Sequence, residues 1–129
     1  MTTIARLLRA EAPLLASAGI GRSIFDQEDP RLGSGIYEYT DAEVAIAFYE
    51  RGLRYRVDQE QREWMYAEIA NIELMNLKQL VRLKGLYAVA TIGVRTTDDV
   101  FQLRVPYVVY SSIANALERG VRELEGHAR

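Results

Sequence analysis

The sequence contains no cysteine and a single histidine. The absence of cysteine excludes disulfides, thiolate metal ligands and a cysteine nucleophile. The one histidine, His127, falls in a segment that we expect to fray, whereas a catalytic base has to be held by packing and hydrogen bonds. Ser-His-Asp and Cys-His catalytic arrangements are therefore not predicted.

An excess of one charge and a long apolar run are also lacking. Sixteen basic residues against eighteen acidic ones give a net charge of −2. This balance argues against wide non-specific nucleic-acid binding, which requires many phosphates to be neutralised. No apolar run approaches the roughly 18 residues that span a membrane, and charges interrupt the N-terminal stretch where a signal peptide would be apolar. We expect a cytoplasmic protein with no transmembrane segment.

The remaining composition is sufficient for one domain with its own core. A chain of 129 residues that is 49% hydrophobic buries roughly two thirds of its unfolded surface, so its core needs no metal or disulfide. Residues 3–18 have apolar side chains at helical spacing, although Pro13 should kink or end that helix. The glycine-rich residues 19–35 predict a loop. We therefore divide the chain into an N-terminal helix and loop, residues 1–35, and a main domain, residues 36–129.

Alternating apolar residues predict the first hairpin of the main domain. Residues 44–48 and 53–57 form its two strands, and an earlier strand covers residues 36–39. Between the hairpin strands, Arg51-Gly52 supplies a turn in which glycine tolerates a positive φ.

A second hairpin and a helix follow in the last third of the chain. Apolar and polar residues alternate within the hairpin over residues 86–105, which indicates a sheet with one solvated face. Pro106 ends that sheet and opens a helix. The helical stripe consists of Tyr110, Ile113, Leu117, Val121 and Leu124. Gly120 lies beside the stripe and predicts a close approach between helix and sheet.

Residues 58–83 fit two structures. As one long amphipathic helix, the segment begins with a residue pair that resembles a capping box. As sheet, a strand through Trp64 and Tyr66 bends sharply at residues 67–69 and continues as a second strand. The local pattern does not separate the two.

The order of elements resembles a pleckstrin-homology-like (PH-like) domain. Bacterial domains of this type, and the related GRAM domains, carry an aromatic or apolar strand, then a tyrosine or serine, an acidic residue and an isoleucine. The corresponding residues here are Trp64, Tyr66, Glu68 and Ile69, with Ile72 following. The resemblance covers about residues 36–124 and favours the strand–bend–strand structure.

This resemblance implies an α+β fold with a strongly bent antiparallel sheet, or partial barrel, capped by the C-terminal helix. The extra N-terminal helix would pack alongside or mediate self-association. Because such domains are frequently interaction scaffolds, the resemblance implies a non-enzymatic binding module with no cofactor. The expected partner is another protein, which the sequence does not identify, and a second copy of the chain is one candidate.

The resemblance also implies a second ligand class, phosphoinositides or other anionic lipid headgroups. Family members bind them with lysines and arginines around the loop of the first hairpin. In this chain that loop, residues 40–43, carries Asp41 and Glu43, which have the wrong charge. The basic patch that remains as a candidate consists of Arg51, Arg54, Arg56, Arg82 and Lys84. A headgroup therefore ranks below a protein partner.

Eight tyrosines suggest an aromatic partner surface. Most lie in predicted strands, where their rings pack well. An exposed group of Tyr37, Tyr39 and Tyr55 would suit an interface, because a ring buries area while its hydroxyl stays hydrated.

Carboxylates supply the least favoured alternative, a small-molecule enzyme. The densest set is Glu60, Glu63, Glu68 and Glu73. These residues alternate with cations as on a solvated surface. No metal site is predicted, since the acidic residues at 26–29 lack the spacing of a calcium-binding loop.

Overall fold

Over the residues that the computed structural model describes, 3–85 and 88–127 with side chains as far as residue 122, the chain has an α+β fold. The helices are α1 (Thr3–Ser17), α2 (Leu77–Leu80) and α3 (Tyr107–His127). The strands are β1 (Arg22–Ser23), β2 (Glu28–Asp29), β3 (Gly33–Thr40), β4 (Val44–Tyr49), β5 (Gly52–Val57), β6 (Glu60–Met65), β7 (Ile69–Glu73), β8 (Val89–Thr96) and β9 (Val100–Pro106). Leu86 and Tyr87 of the predicted second hairpin lie outside the described residues, and Leu124 and His127 lie beyond the described side chains.

Two antiparallel sheets enclose the core. The first has the order β1-β3-β4-β5-β6, with β2 also paired to β3, and the second has the order β7-β8-β9. Both predicted hairpins are confirmed over the described residues, and the strand over residues 36–39 is the centre of β3. Cross-strand pairs such as Ile46 with Tyr55 and Phe48 with Leu53 bury one face of the first sheet. The C-terminal helix packs on the second sheet, and α1 lies against that helix.

The strand–bend–strand structure is confirmed over residues 60–73, and the long helix is absent, although residues 77–80 form the short helix α2 instead of a continued strand. β6 ends at a 3-10 turn, Tyr66–Glu68, from which β7 enters the second sheet. The Met65 N–H donates to the Glu68 carboxylate at 2.8 Å. Trp64 stacks on Phe101 of β9 with ring centroids 3.6 Å apart. The strand is therefore selected by contacts with residues distant in sequence.

The N-terminal helix continues past Pro13, contrary to the expected kink or end. It reaches Ser17 with Pro13 inside it. The face of the helix that does not carry Pro13 buries Ile4, Leu8 and Ala12. This packing offsets the hydrogen bond that the proline cannot donate.

The prediction of a loop over residues 19–35 was wrong in part. The segment contains β1 and β2, both of which pair with β3. Ile24 and Leu32 are buried against Ala47, Tyr49 and Met65 in a small second cluster. The segment therefore covers one end of the outward face of the first sheet. The main core also runs across the proposed boundary at residue 35, because α1 and α3 belong to one cluster of buried residues.

Position 52 needs a glycine because a side chain would not fit there, and not because the backbone has a positive φ. The glycines with positive φ are Gly19, Gly21, Gly33 and Gly85 among the described residues. A Cβ at position 52 would instead overlap the carbonyl oxygen of Trp64 on the neighbouring strand. The turn itself was predicted correctly, but for a different physical reason.

Gly120 marks a contact between two helices, and not the predicted approach of helix to sheet. A Cβ at this position would overlap Cγ1 of Ile4 on α1, and Ile4 is only 1% exposed. We expect Gly120→Val to lower the free energy of unfolding by about 1–3 kcal/mol, as other overpacked cores do. Urea unfolding followed by circular dichroism measures this loss.

The matched control for the Gly120 variant replaces Ile4, the residue that a side chain at position 120 would overlap. In an Ile4→Ala background the overlap is removed, so Gly120→Ala should stabilise the protein by up to about 1 kcal/mol through helix propensity. A stabilising Gly120→Ala in the wild-type background would contradict the close contact.

Candidate functional site

Arg54, one of the predicted basic residues, is held in place by two carboxylates and a tyrosine. Its Nη2 lies 2.6 Å from Asp29 Oδ2 and its Nε 3.2 Å from Glu63 Oε1. Its Nη1 donates to the Tyr49 hydroxyl at 3.2 Å, and the guanidinium lies 5.4 Å from the centre of the Tyr49 ring. Arg54 therefore attaches the N-terminal segment to the outward face of the first sheet.

The electrostatics of this group agree with its geometry. Partial burial alone would lower the pKa of Arg54, but hydrogen bonds to Glu63 and Asp29 raise it above its ordinary value. The backbone N–H groups of Leu32 and Arg31, together with Arg54, hold the pKa of Asp29 below its usual value. Both members of the pair stay charged at neutral pH, so little of the Arg54 charge is left for a ligand.

A trough runs along β4 on the same outward face. The central strand contributes small side chains, whereas the strands on either side contribute longer ones. Two cross-strand rows have this arrangement, Glu38, Ala47 and Arg54, and Thr40, Ala45 and Arg56. Because the inward face of β4 carries Val44, Ile46 and Phe48, the alanines necessarily face outward.

The trough is a concave polar site with an apolar floor. Its volume is about 230 Å3, and its lining is Gln27, Glu38, Thr40, Ala45, Ala47, Tyr49, Arg54, Arg56 and Gln61. Arg56 is exposed and makes no ion pair with any described side chain. One guanidinium at the rim is thus available to an incoming group.

The other predicted basic residues do not join this trough. Arg51 is exposed at the β4–β5 turn, and its Nε donates to the Arg31 carbonyl at 3.2 Å. Arg82 and Lys84 are exposed on the connection from α2 to β8, in the other sheet. The five residues therefore occupy at least two separate surfaces.

The predicted exposed tyrosine group was wrong. Tyr37 is 1% exposed and donates to the Ile20 carbonyl at 2.8 Å. Tyr55 is 5% exposed, and its hydroxyl accepts from the Arg104 N–H at 3.3 Å across the two sheets. Tyr39 is half-buried and donates to the Asp41 carboxylate at 3.2 Å. Strand alternation places Tyr37 and Tyr55 on the inward face, where their hydroxyls satisfy backbone groups.

The loop of the first hairpin is closed by its own acidic residue. The Asp41 carboxylate accepts from the backbone N–H groups of Glu43 and Val44 at 2.8 and 2.9 Å. Burial alone would raise the pKa of Asp41, but these hydrogen bonds and that from Tyr39 lower it. The loop therefore presents an anion, as the sequence predicted.

The four glutamates of the carboxylate set are spread over the bend and do not converge. Glu63 pairs with Arg54 and Glu60 with Arg62, while Glu68 accepts from the Met65 N–H. Within the described part of the chain, no three acidic or histidine side chains lie close enough to hold a metal ion.

A second exposed surface, which we name the α2 segment (residues 74–84), was predicted only in its cations Arg82 and Lys84 and not in its apolar residues. Leu77 and Val81 are 76% and 70% exposed, and Leu74 is 37% exposed. Lys78, Arg82 and Lys84 are exposed between and after them. The signal in the sequence was the mixture of leucines and cations, of which only Arg82 and Lys84 entered the predicted basic patch.

Comparisons with known proteins add no relative. No protein-family model, no curated protein and no solved structure matches the chain. Among the described residues, no helix is long and apolar enough to cross a membrane.

Proposed function

We propose that this chain is a PH-like domain that acts as a non-enzymatic protein-binding module, in a scaffold or adaptor role. The order of elements supports the PH-like assignment: four consecutive antiparallel strands, β3 to β6, are followed by three more, β7 to β9, and by a terminal helix. Contacts between the sheets, such as Trp64 with Phe101, support a strongly bent sheet or partial barrel.

The trough along β4 is the observation that carries the protein-binding proposal. A floor of two alanines leaves room for one side chain from a partner, and polar walls supply hydrogen bonds that fix its orientation. Arg56 stands at the rim without an ion-pair partner among the described residues. Because Glu38 is paired with Arg22 and Arg54 with Asp29 and Glu63, the uncommitted charge at the rim is positive.

This arrangement favours a partner that inserts an acidic side chain between Thr40 and Arg56. A guanidinium and a carboxylate form the stronger, charge-assisted kind of hydrogen bond. A phosphoinositide headgroup remains the alternative, but several phosphates require several cations. Of the two arginines that line the trough, Arg54 is already paired with carboxylates, and Arg56 is the one without an ion pair among the described side chains. The trough therefore suits a single carboxylate better than a polyphosphate.

In the test, wild-type protein and a trough variant each capture partners from extracts of the producing cells, and the two sets of partners are compared. The trough variant, Ala45→Gln/Arg56→Glu, fills the floor and reverses the rim charge on an exposed surface. A charge-assisted hydrogen bond contributes about 1.5–3 kcal/mol. The trough variant should therefore bind a genuine partner about tenfold or more weakly than wild type does. Quantitative mass spectrometry measures the difference.

Arg95→Glu is the matched control, because Arg95 is an exposed cation on the other sheet. It should leave the capture of a trough partner unchanged. The proposal fails if no captured protein depends on the trough. It also fails if phosphoinositide vesicles pellet the wild type but not the trough variant. Size-exclusion chromatography with light scattering tests whether the partner is a second copy of this chain. A strictly monomeric elution would exclude self-association.

A further inference from the structure

We propose that a groove between the β5–β6 hairpin and the free edge of β9 binds an extended, cationic peptide as an added strand, with one apolar side chain of the peptide seated over Trp64. The lining of this groove shares no residue with that of the trough, which lies on the opposite face of the same hairpin. Peptide binding here is therefore separate from the site proposed above, and either one can fail without the other.

β9 has one edge without a neighbouring strand, because it is the last strand of the second sheet. On that edge the Arg104 N–H donates to the Tyr55 hydroxyl at 3.3 Å. The cross-strand partner of Arg104, Thr91, donates its N–H at 3.4 Å to the sulfur of Met75, on the far side of β8. These two partners therefore do not bond to each other. Because such pairs alternate with hydrogen-bonded pairs in an antiparallel ladder, the backbone of Gln102, two residues earlier, also points away from β8.

Gln102 offers both of its backbone groups to an incoming strand. The other N–H groups on this edge are already occupied, since that of Val100 donates to the Asp99 carboxylate at 2.9 Å and that of Arg104 to Tyr55. Gln102 is exposed and makes no hydrogen bond on this side with any described residue. A residue placed opposite can donate to its carbonyl and accept from its N–H, as in strand addition at a sheet edge. The partner must therefore have an extended backbone.

An apolar pocket lies beside this edge and accounts for the expected side chain of the peptide. Its floor contains the rings of Trp64 and Phe101, which stack 3.6 Å apart. Its volume of about 200 Å3 is below the roughly 300–1,000 Å3 of sites for whole small molecules, and it suits one side chain. The lining consists of Tyr55, Val57, Glu60, Arg62, Trp64, Phe101 and Gln102.

Strand addition would direct a side chain of the peptide into this pocket. In a sheet, residues directly opposite each other point to the same face, and their neighbours point to the other face. A peptide residue opposite Gln102 would thus point to the outward face of the second sheet. The next residue would point to the face of Phe101, which is the face that the pocket occupies. The free backbone groups and the apolar pocket therefore fit the same extended chain.

The charge around the groove specifies a cationic peptide. Asp58 and Glu60 lie at the tip of the β5–β6 hairpin, and Asp98 and Asp99 at the tip of the β8–β9 hairpin. The cation in the lining, Arg62, lies 2.5 Å from Asp99 and 3.8 Å from Glu60. Asp58 and Asp98 are exposed and have no ion-pair partner among the described side chains. Four carboxylates thus surround one guanidinium, and lysine or arginine in the peptide would complement them.

The test uses Trp64 as its reporter, because it is the only tryptophan of the chain and lies in the floor of the pocket. The probe is a phage-displayed library of random heptapeptides, selected on the full chain and then synthesised. Selected peptides should carry an apolar residue near lysine or arginine and should change the emission of Trp64 as they displace water. Their affinity should fall between about 0.05 M and 0.5 M NaCl, because salt screens exposed charges.

Two measurements test strand addition. Gln102→Pro removes the free N–H without removing a bond to β8, as proline on a strand edge permits, and should weaken binding by about tenfold. Gln102→Ala keeps that N–H and should bind within about twofold of wild type. N-methylation of the peptide, one residue at a time, makes the same test on the unaltered protein. It should weaken binding by about tenfold at the residue that donates to Gln102, and much less at the residues on either side.

A pair of variants tests the charge. Asp58→Asn/Asp98→Asn removes two exposed carboxylates at the hairpin tips and should weaken binding by about threefold or more. Asparagine also tolerates the positive φ of 56° at position 58. Asp26→Asn/Glu28→Gln removes two exposed carboxylates from the N-terminal segment and should bind as wild type does. Unfolding midpoints equal to that of wild type verify the fold of each variant.

Four results would overturn peptide binding at β9. These are a selection in which no peptide changes the emission of Trp64, a consensus that is acidic, affinity that N-methylation at every position leaves unchanged, and equal weakening by the two charge variants. Weakening by the trough variant Ala45→Gln/Arg56→Glu would likewise place the peptide on the opposite face of the hairpin and contradict the proposal. A captured protein that depends on the trough variant alone would leave the module function standing after any of these results.

Discussion

Replacing Tyr66 by alanine is expected to lower the free energy of unfolding by about 3–5 kcal/mol, the loss typical of a large aromatic residue removed from a core. Tyr66 is 1% exposed, and its hydroxyl donates to the Tyr49 carbonyl at 2.6 Å. It also begins the 3-10 turn that carries the chain from the first sheet to the second. The cavity would therefore open where the two sheets join.

Chemical denaturation of three variants separates the causes of this loss. Tyr66→Phe keeps the ring but leaves the Tyr49 carbonyl without its donor, which should cost about 1–2 kcal/mol. Tyr107→Ala alters a tyrosine at the surface and should cost about 1 kcal/mol or less. A loss for Tyr66→Ala no greater than that for Tyr107→Ala would contradict the central position of the ring.

The second large effect is a loss of stability at alkaline pH. Burial raises the pKa of the Tyr37 hydroxyl, with a smaller contribution from Tyr39, and burial likewise raises the pKa of Tyr66. In the unfolded chain both hydroxyls ionise near the ordinary value of about 10. Their contribution is therefore complete below about pH 10 and falls as pH rises, since the unfolded state loses protons first.

The expected slope is about 1.4 kcal/mol per pH unit for each tyrosine. One unit above the unfolded pKa, the two together should lower the free energy of unfolding by about 2–3 kcal/mol. Urea unfolding between about pH 8 and pH 11 measures this. The double variant Tyr37→Phe/Tyr66→Phe starts from lower stability but should lose less with pH, whereas Tyr107→Phe should follow wild type. Parallel curves for wild type and the double variant would contradict the burial of these hydroxyls.

Prediction from sequence succeeded where a short-range pattern carried the information. The hairpins around residues 44–57 and 89–105 follow from period-two alternation. The C-terminal helix follows from Pro106 and a stripe whose members Ile113 and Leu117 are fully buried. These patterns depend on neighbours a few residues away, and such neighbours are visible in the sequence.

Prediction failed where the exposure or the partner of a side chain depended on which side of the sheet another segment covers. Tyr37 and Tyr55 were expected to be exposed, although their alternation places them on the buried face. Arg54 was assigned to a basic patch, yet Asp29, which neutralises it, is twenty-five residues away in sequence. The outward row of Ala45 and Ala47 becomes a trough only because longer side chains flank it on both neighbouring strands.

The sequence by itself determined the class of this protein, α+β, and the limits on its chemistry, because composition and short periodicities are local properties. Tertiary structure decided the rest. Residues 60–73 form strand, bend and strand because Trp64 stacks on Phe101 and because the Tyr66 hydroxyl donates to the Tyr49 carbonyl. Leu77 and Val81 remain exposed because no other described segment covers them. Both outcomes depend on contacts between residues far apart in the chain, and a local pattern does not contain that information.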